Sequence, residues 1–329
     1  MTLRALAAAL VLLPGAAVAT AGTQVHYVMG TYLRITADGD GAAAGMRACF
    51  QEVRRLDDVF SRWSETSELS RLNAAAPGAR TVSPDLAQLL ARSLSLADTT
   101  GGAFDVAVGP LTALWRRPAP PAAADLDAAR AAARPDSVHI QGDRVTLATG
   151  ARLDFDGIAK GWAVDACAER LRAAGVRRAL VSLGESSLYA IGAPAGEHHW
   201  RLAVRGTDPG TTVGWLGLRD AGASVSATFG VEGKEAGRVA HIIDPHTGRP
   251  LTDDAVAVAV APSATDAEAF TKALLVWGAG GVPRLRASGA IAAIHVSPAA
   301  IRSDVAGSEV VWEPLPAPRT LAAGEEPLR

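Results

Sequence analysis

The second half of the chain carries a succession of short strand-like segments with no helical pattern between them. Their approximate ranges are 179–183, 187–191, 200–205, 213–218, 224–228, 239–243 and 255–261. Together with the helical patterns elsewhere in the chain, these segments show no regular alternation of strand and helix. The sequence therefore predicts an α+β protein and not a doubly wound βαβ fold.

Helical patterns lie on both sides of these segments. Apolar periodicity and helix-start signals predict five helices. Four of them lie at 43–60, from Ser83 to Gly101, from about residue 160 to 174, and at 265–277. The fifth is an Ala-rich helix that ends at about residue 133. Near the amino terminus, 24–36 has the alternation of a strand that is interrupted at Met29-Gly30-Thr31. The sequence as a whole predicts one elaborate domain over 20–313. It also predicts a disordered tail, rich in Pro and Ala, over 314–329.

Composition excludes one class of function. The chain has 329 residues, with 32 Lys and Arg against 34 Asp and Glu, and a formal net charge of −2. Such a balance gives no dominant electrostatic attraction to nucleic acid. With 49% hydrophobic residues the chain can bury a substantial core.

The first residues predict a secretory signal peptide over 1–19. Arg4 supplies a positive start, 6–14 is apolar, and Ala17-Val18-Ala19 is a small-residue cleavage site. No later stretch is apolar over the length of a membrane span, and no cysteine follows the cleavage site to accept a lipid. We expect an exported, soluble, periplasmic protein without a transmembrane segment.

Cys49 and Cys167 are the only two cysteines of the chain. An exported protein can pair them, but each lies on the apolar stripe of a predicted helix. The sequence therefore favours burial of both as small hydrophobic residues over a disulfide.

Two glycine-containing segments can place backbone close to a ligand. Gly101-Gly102-Ala103-Phe104-Asp105 follows a helix, where a simple helix end followed by a turn is the alternative. Asp154 to Gly161 places two acids, a glycine and Lys160 at a helix start, where N–H groups and an ammonium suit a phosphate. An N-cap with a solvated lysine is the alternative there.

Two later segments carry polar side chains. His241 and Asp244 lie at the end of a strand, before a Pro/Gly turn, and are candidates for proton transfer if both face a cleft. His246 is grouped with the structural surface histidines. Glu268 and Lys272 have the i, i+4 spacing of an ion pair on a helix surface, for which a cation site facing a phosphate is the alternative.

Taken in order, these segments resemble the ApbE family, the FAD:protein FMN transferases. The resemblance covers nearly the whole chain after residue 19 and runs through Met29-Gly30-Thr31, Ser67-Glu68-Leu69 with Leu72-Asn73, Gly102-Ala103-Phe104-Asp105 with Val108-Gly109-Pro110-Leu111 and Trp115, Gly157-Ile158-Ala159-Lys160-Gly161 with Asp165, and His241-Ile242-Ile243-Asp244-Pro245 with Thr247-Gly248. It implies a T-fold-like α+β architecture, with mixed sheets and flanking helices around an FAD cleft.

The resemblance also implies roles for individual residues. Position by position, the FAD-lining residues are Met29, Trp63, Ala103, Phe104, Asp105, Asp154, Lys160 and Ile242. The family activity splits FAD at its pyrophosphate, releases AMP and attaches FMN to a Thr or Ser of an exported redox protein with an Asp-[Ser/Thr]-Gly-type motif. His241 or Asp244 is the candidate base.

The sequence departs from the family at the metal site. The family holds Mg²⁺ with a main-chain oxygen at the position of Gly157 and with an Asp and a Thr on the late helix. Here those two positions hold Glu268 and Lys272, and an ammonium donates hydrogen bonds only and cannot bind a metal. Either Thr271 or Asp266 completes the metal site with Glu268, or the ammonium of Lys272 replaces the metal ion.

This departure leaves a second function open. Beside the transferase, the sequence allows a non-catalytic exported FAD carrier or sensor. An exported solute-binding protein also fits the length, but it explains none of the ordered motifs.

Overall fold

The computed structural model describes residues 22–208, 210–229 and 242–320. The helices are α1 Ala42–Phe60, α2 Glu68–Ala74, α3 Pro84–Thr99, α4 Gly109–Trp115, α5 Ala123–Ala132, α6 Ala159–Ala173, α7 Ala264–Trp277 and α8 Val282–Ala287. The strands are β1 Gly22–Val28, β2 Thr31–Asp38, β3 Gly78–Thr81, β4 Val138–Gln141, β5 Arg144–Leu147, β6 Arg178–Leu183, β7 Ser187–Ile191, β8 Trp200–Arg205, β9 Thr211–Leu218, β10 Gly222–Ala227, β11 Ile243–Asp244, β12 Arg249–Pro250, β13 Val256–Ala261, β14 Ala292–Val296, β15 Ile301–Val305 and β16 Val310–Thr320.

An eight-stranded sheet forms the centre of the molecule, in the order β1-β2-β6-β7-β10-β13-β14-β15. Strand β13 shows how its two faces are built. Ala257, Ala259 and Ala261 belong to the core on one face, and the valines between them belong to the core on the other. This period of two lets the small alanine face accept closely packed helices, while the valine face packs against a second sheet.

The second sheet has the order β16-β9-β8 and lies on the valine face. Strand β16 corrects the prediction of a disordered tail, because residues 314–320 belong to it and Pro314, Arg319 and Thr320 pair with β9. The predicted signal peptide at 1–19 and residues 321–329 lie outside the described residues.

Helices α1, α6 and α7 pack against the alanine face. Cys49 of α1 and Cys167 of α6 are both fully buried there, and they form a disulfide. The preference for two unpaired cysteines was therefore wrong, although their burial was expected. Both apolar stripes face the same helix–helix contact, and this contact brings the two sulfur atoms together.

The α+β class is confirmed. Predicted helices at 43–60 and 265–277 match α1 and α7 to within one residue, and the interrupted strand at 24–36 is the β1–β2 hairpin. The pairs among the described strands are all antiparallel. The expected mixed sheets would combine parallel and antiparallel pairs, and the described strands do not form such sheets. Among the residues that the structure describes, no helix is long and apolar enough to cross a membrane.

Candidate functional site

Helices α6 and α7 bind each other's amino-terminal ends. Glu268 of α7 accepts a hydrogen bond from the backbone N–H of Gly161 at 2.5 Å, at the start of α6. Asp165 of α6 accepts bonds from the N–H groups of Ala264 and Thr265 at 2.8 and 2.9 Å, at the start of α7. Each carboxylate therefore satisfies N–H groups that a helix start leaves unpaired, and the two helix starts are held side by side.

Gly161 makes this close approach possible. A Cβ at this position would lie 2.5 Å from the carbonyl oxygen of Ala264. The contact explains why a glycine stands inside the first turn of α6, where it lowers helix propensity.

The side chain of Lys272 lies beside the Glu268 carboxylate that binds the start of α6. Its Nζ is 3.0 Å from Ser226 Oγ and 3.5 Å from Glu268 Oε1. The side chain of Glu268 is 1% exposed and that of Lys272 17%, so the pair predicted on a helix surface lies mostly inside the protein. Burial, and to a smaller degree the nearby ammonium of Lys160, lowers the pKa of Lys272 to about 8 against the opposing effect of Glu268.

Lys160 stands on the second residue of α6. Its Nζ donates a hydrogen bond of 2.8 Å to Ser186 Oγ, in the turn between β6 and β7. This turn lies beside the β1–β2 hairpin, because the N–H of Gly184 donates to the carbonyl of Tyr32 at 2.9 Å. The structure thus brings Lys160 near the Met29-Gly30-Thr31 segment. Met29 itself has φ +52° in the hairpin turn, and its N–H donates to Asp57.

The turn after α3 carries the predicted aromatic residue. Gly101 and Gly102 have φ values of +58° and +80°, which glycine adopts without steric cost. Phe104 is buried, and a Cβ on Gly157 would lie 3.7 Å from both Phe104 Cε2 and Lys272 Cε. Phe104, Gly157 and Lys272 therefore meet at one point.

Asp105 lies in the same turn, and its carboxylate binds a backbone N–H group there. Its Oδ1 accepts a hydrogen bond from the N–H of Ala107 at 2.8 Å. Burial raises the pKa of this carboxyl.

Asp154 is the centre of a charged cluster. Its Oδ2 accepts hydrogen bonds from Arg62 at 2.8 Å and from Thr112 Oγ1 at 2.7 Å, and Arg116 lies 3.6 Å away. Asn73 fixes the backbone before it with two bonds to Leu153, of 2.8 and 2.9 Å. The sequence did not single out the basic members of this cluster, although Arg62 directly precedes Trp63.

Trp63 is 73% exposed beside this cluster. The guanidinium groups of Arg62 and Arg116 lie 4.6 and 4.9 Å from its ring centroid, so cation–π contacts hold the indole in place. Arg62 also contacts Asp156. Desolvation and the neighbouring Asp154 carboxylate raise the pKa of Asp156 to about 7.

Asp244 and His246 form a unit that the sequence treated separately. His246 Nδ1 lies 3.2 Å from Asp244 Oδ1, and Nε2 lies 3.1 Å from the carbonyl oxygen of Gly101. The structure thus ties the Asp244 turn to the glycine turn after α3. His241, the other candidate base, lies outside the described residues. Ile242, which follows it, is 9% exposed and packs against the main core.

The sequence as a whole decides the family. The ApbE family model matches residues 29–295. The chain belongs to the ApbE family.

Curated ApbE relatives support this membership. The FAD:protein FMN transferase of Klebsiella pneumoniae is 31% identical over 291 residues, covering 80% of this chain and 81% of the relative. That of Treponema pallidum is 33% identical, covering 78% of each. The flavin transferase ApbE of Vibrio cholerae has a similar structure, with a TM-score of 0.77 at 24% identity, over 88% of this chain and 98% of the other. The ApbE protein of Thermotoga maritima gives 0.79 at 23%, with the same coverage.

The positions that the family resemblance assigns to a metal come together here, but their side chains do not suit a divalent cation. Gly157, Glu268 and Lys272 converge, and the ammonium already lies beside the Glu268 carboxylate. A metal at this place would meet a fixed positive charge instead of a ligand oxygen.

The two substitutes considered for the missing ligand are both engaged elsewhere. Thr271 Oγ1 shares a hydrogen bond of 2.8 Å with Ser226 Oγ and lies 2.8 Å from the Glu268 carbonyl oxygen. Asp266 is bound by both arms of the Arg92 guanidinium, at 2.8 and 2.6 Å. The described residues also contain no group of three or more His, Cys, Asp or Glu side chains placed to hold a metal.

Proposed function

We propose that the protein is an FAD:protein FMN transferase that modifies an exported redox protein. A Thr or Ser hydroxyl of the acceptor attacks the FMN phosphorus of FAD. The bond between this phosphorus and the bridging oxygen breaks, AMP leaves with that oxygen, and the hydroxyl proton passes to a base. The product is an FMN phosphodiester on the acceptor protein.

One observation carries this proposal, namely the convergence of two ammonium groups at the start of α6. Lys160 belongs to the first turn of that helix. Lys272 belongs to α7, and its ammonium lies close enough to interact with that of Lys160. The departing AMP phosphate gains negative charge, which nearby cations and helix N–H groups stabilise. The relatives named above give the reaction that matches such a site.

The FAD contacts follow from the family positions and the geometry. Phe104 and Ala103 line the buried turn beside Gly157, and Trp63 offers an exposed aromatic face held by two arginines. The full proposed set is Met29, Trp63, Ala103, Phe104, Asp105, Asp154, Lys160 and Ile242. Asp154 acts through Arg62, whose position it fixes.

His241 or Asp244 is the proposed base. Asp244 already accepts a hydrogen bond from the N–H of His246 at 2.9 Å, and its side chain is 17% exposed. Matched variants separate the two candidates: the base is the residue whose replacement, His241→Ala or Asp244→Asn, lowers the transfer rate while FAD affinity stays unchanged.

The protein is proposed to act in the periplasm, after removal of residues 1–19. The Cys49–Cys167 disulfide supports an oxidising compartment. The acceptor is an exported protein with an Asp-[Ser/Thr]-Gly-type motif.

Intact mass spectrometry tests the transfer. The protein is incubated with FAD and an acceptor carrying the motif. One FMN-phosphoryl adduct should appear on the acceptor, together with AMP, and it should be lost when the acceptor Thr is replaced by Val. An acceptor that stays unmodified with Mg²⁺, with Mn²⁺ and without metal contradicts the proposal.

A non-catalytic FAD carrier or sensor is the second candidate. It is favoured by the ammonium of Lys272 at a position where the family resemblance implies a metal ligand, because this charge can hold a pyrophosphate but cannot coordinate an activating metal. Tight binding of FAD without any release of AMP would support this function over the transferase.

A further inference from the structure

The buried carboxylate of Glu268 needs a positive partner, and the structure shows which one it has. Glu268 Oε2 accepts from the Gly161 N–H at 2.5 Å, and Oε1 faces Lys272 Nζ at 3.5 Å. A buried carboxylate without a compensating charge is strongly unfavourable. The family resemblance implies a divalent cation next to this position, whereas here the chain supplies its own ammonium.

The ammonium is also held in place from other sides. Ser226 Oγ lies 3.0 Å from Lys272 Nζ and also bonds Thr271, so strand β10 fixes the tip of the lysine. The stem of Lys272 lies against Gly157, within 3.7 Å of a Cβ at that position. The charge is therefore positioned before any ligand binds, which reduces the cost of ordering it upon binding.

We infer that Lys272 replaces the divalent cation of the family, so that this protein binds and processes FAD without a metal. The inference rests on the proposed function, because it assigns the group that neutralises the pyrophosphate of FAD. Lys272 and Lys160 would then share the two phosphates, one ammonium from each helix. In this arrangement Glu268 acts as a positioning residue, holding Lys272 and the start of α6 together.

The test measures FAD affinity by calorimetry, once in EDTA and once in excess Mg²⁺. For the unaltered protein, the two dissociation constants should agree within about threefold, a difference well below 1.4 kcal/mol. Lys272→Met removes the charge and keeps the length of the side chain. It should weaken FAD binding about ten- to a hundredfold in EDTA, the range of one charge-assisted contact.

Two further variants sharpen the result. Lys160→Met is the matched control, because it removes the other ammonium and should weaken binding equally in EDTA and in Mg²⁺. Glu268→Asp combined with Lys272→Thr restores the family residues. This double variant should bind FAD weakly in EDTA and regain at least about tenfold in affinity with Mg²⁺. Paramagnetic resonance with Mn²⁺ and FAD should show bound metal for the double variant only.

Several outcomes would overturn the inference while leaving FAD binding intact. These are an affinity of the unaltered protein that rises tenfold or more with Mg²⁺, Mn²⁺ bound at its FAD site, and a Lys272→Met variant that melts at a lower temperature but binds FAD as before. In the last case Lys272 is only a structural partner of Glu268. If the unaltered protein binds no FAD under any condition, the proposed function fails as well.

Discussion

The two ammonium groups at the start of α6 have different neighbours. Lys272 faces the Glu268 carboxylate, whereas Lys160 bonds to the neutral Ser186 hydroxyl at 2.8 Å. Within the described ranges, no ion pair involves Lys160. The Asp156 carboxyl interacts with the Lys160 ammonium without forming an ion pair, so this charge stays available to an anionic ligand.

Lys160→Ala should accordingly weaken FAD binding more than any other single change in the proposed FAD set. We expect the dissociation constant to rise about ten- to a hundredfold, because a charge-assisted hydrogen bond is lost. Ser186→Ala is the control, since it removes the partner and leaves the charge, and it should have a smaller effect. Calorimetry measures both, and equal affinities for Lys160→Ala and the unaltered protein would refute this role.

At the scale of elements, the pairing of the α6 and α7 starts depends on a missing side chain. A Cβ at Gly161 would lie 2.5 Å from Ala264 O and 2.8 Å from Thr265 Cα, both of which are backbone atoms. Backbone cannot rotate away as a flexible side chain can. The two helices must therefore separate if this position carries a methyl group.

Gly161→Ala should destabilise the protein by about 1–3 kcal/mol, the usual cost of overpacking, despite the better helix propensity of alanine. It should also weaken FAD binding, because the contact of Glu268 with the α6 start is displaced. Gly280→Ala is the matched control, since nothing lies within 4 Å of a Cβ there. Urea unfolding measures both variants, and equal stabilities would show that the helices can accommodate the methyl group.

The same helix pair predicts a pH effect. Burial raises the pKa of Asp165 to about 6 in the folded protein, against an ordinary value of about 3.9 in an unfolded chain. The folded state therefore binds this proton more tightly. The stabilisation is complete below about pH 4 and is lost as the pH rises through about 6.

Asp165→Asn, which cannot titrate, isolates this contribution. From pH 4 to 6, the free energy of unfolding of the unaltered protein should fall relative to that of the variant, by at most about 1.4 kcal/mol per pH unit. Urea unfolding at a series of pH values gives both curves. Parallel curves would mean that the pKa of Asp165 is the same in the folded and unfolded states.

At the scale of the whole molecule, one covalent link joins distant parts of the chain. The Cys49–Cys167 disulfide connects α1 to α6 across a sequence separation of 118 residues. A link over so long a loop restricts the unfolded chain strongly. It also holds the helix that carries Lys160 against the first helix of the domain.

Reduction of this disulfide should destabilise the protein by about 2–5 kcal/mol. Chemical unfolding with and without a reductant measures the difference. The double variant Cys49→Ala and Cys167→Ala should be destabilised to a similar degree and should not respond to the reductant. A reductant effect that persists in the double variant would mean that its cause is not the disulfide.

Local signals were sufficient for much of the secondary structure. The helix predicted to begin at Ser83 is α3, and the Ser83 hydroxyl caps it by accepting a hydrogen bond from the Leu86 N–H. Strand β16 was missed, because its prolines and alanines resemble a disordered tail and its pairing partner β9 lies about a hundred residues away. For the candidate site, the sequence identified the Asp154 to Gly161 segment and the Glu268–Lys272 pair, but not Arg62 or the bond from His246 to Gly101.

The sequence by itself determined the α+β class, the family and the presence of a lysine where a metal ligand is usual. These follow from residue types, short periods and motif order, which need no knowledge of long-range contacts. Only the tertiary structure decided that Glu268 is buried with Lys272 beside it, that Asp165 holds the start of α7, and that the two cysteines pair. The physical reason is that burial and partnership depend on which distant segments pack together, and helices α1, α6 and α7 meet only on the alanine face of the finished sheet.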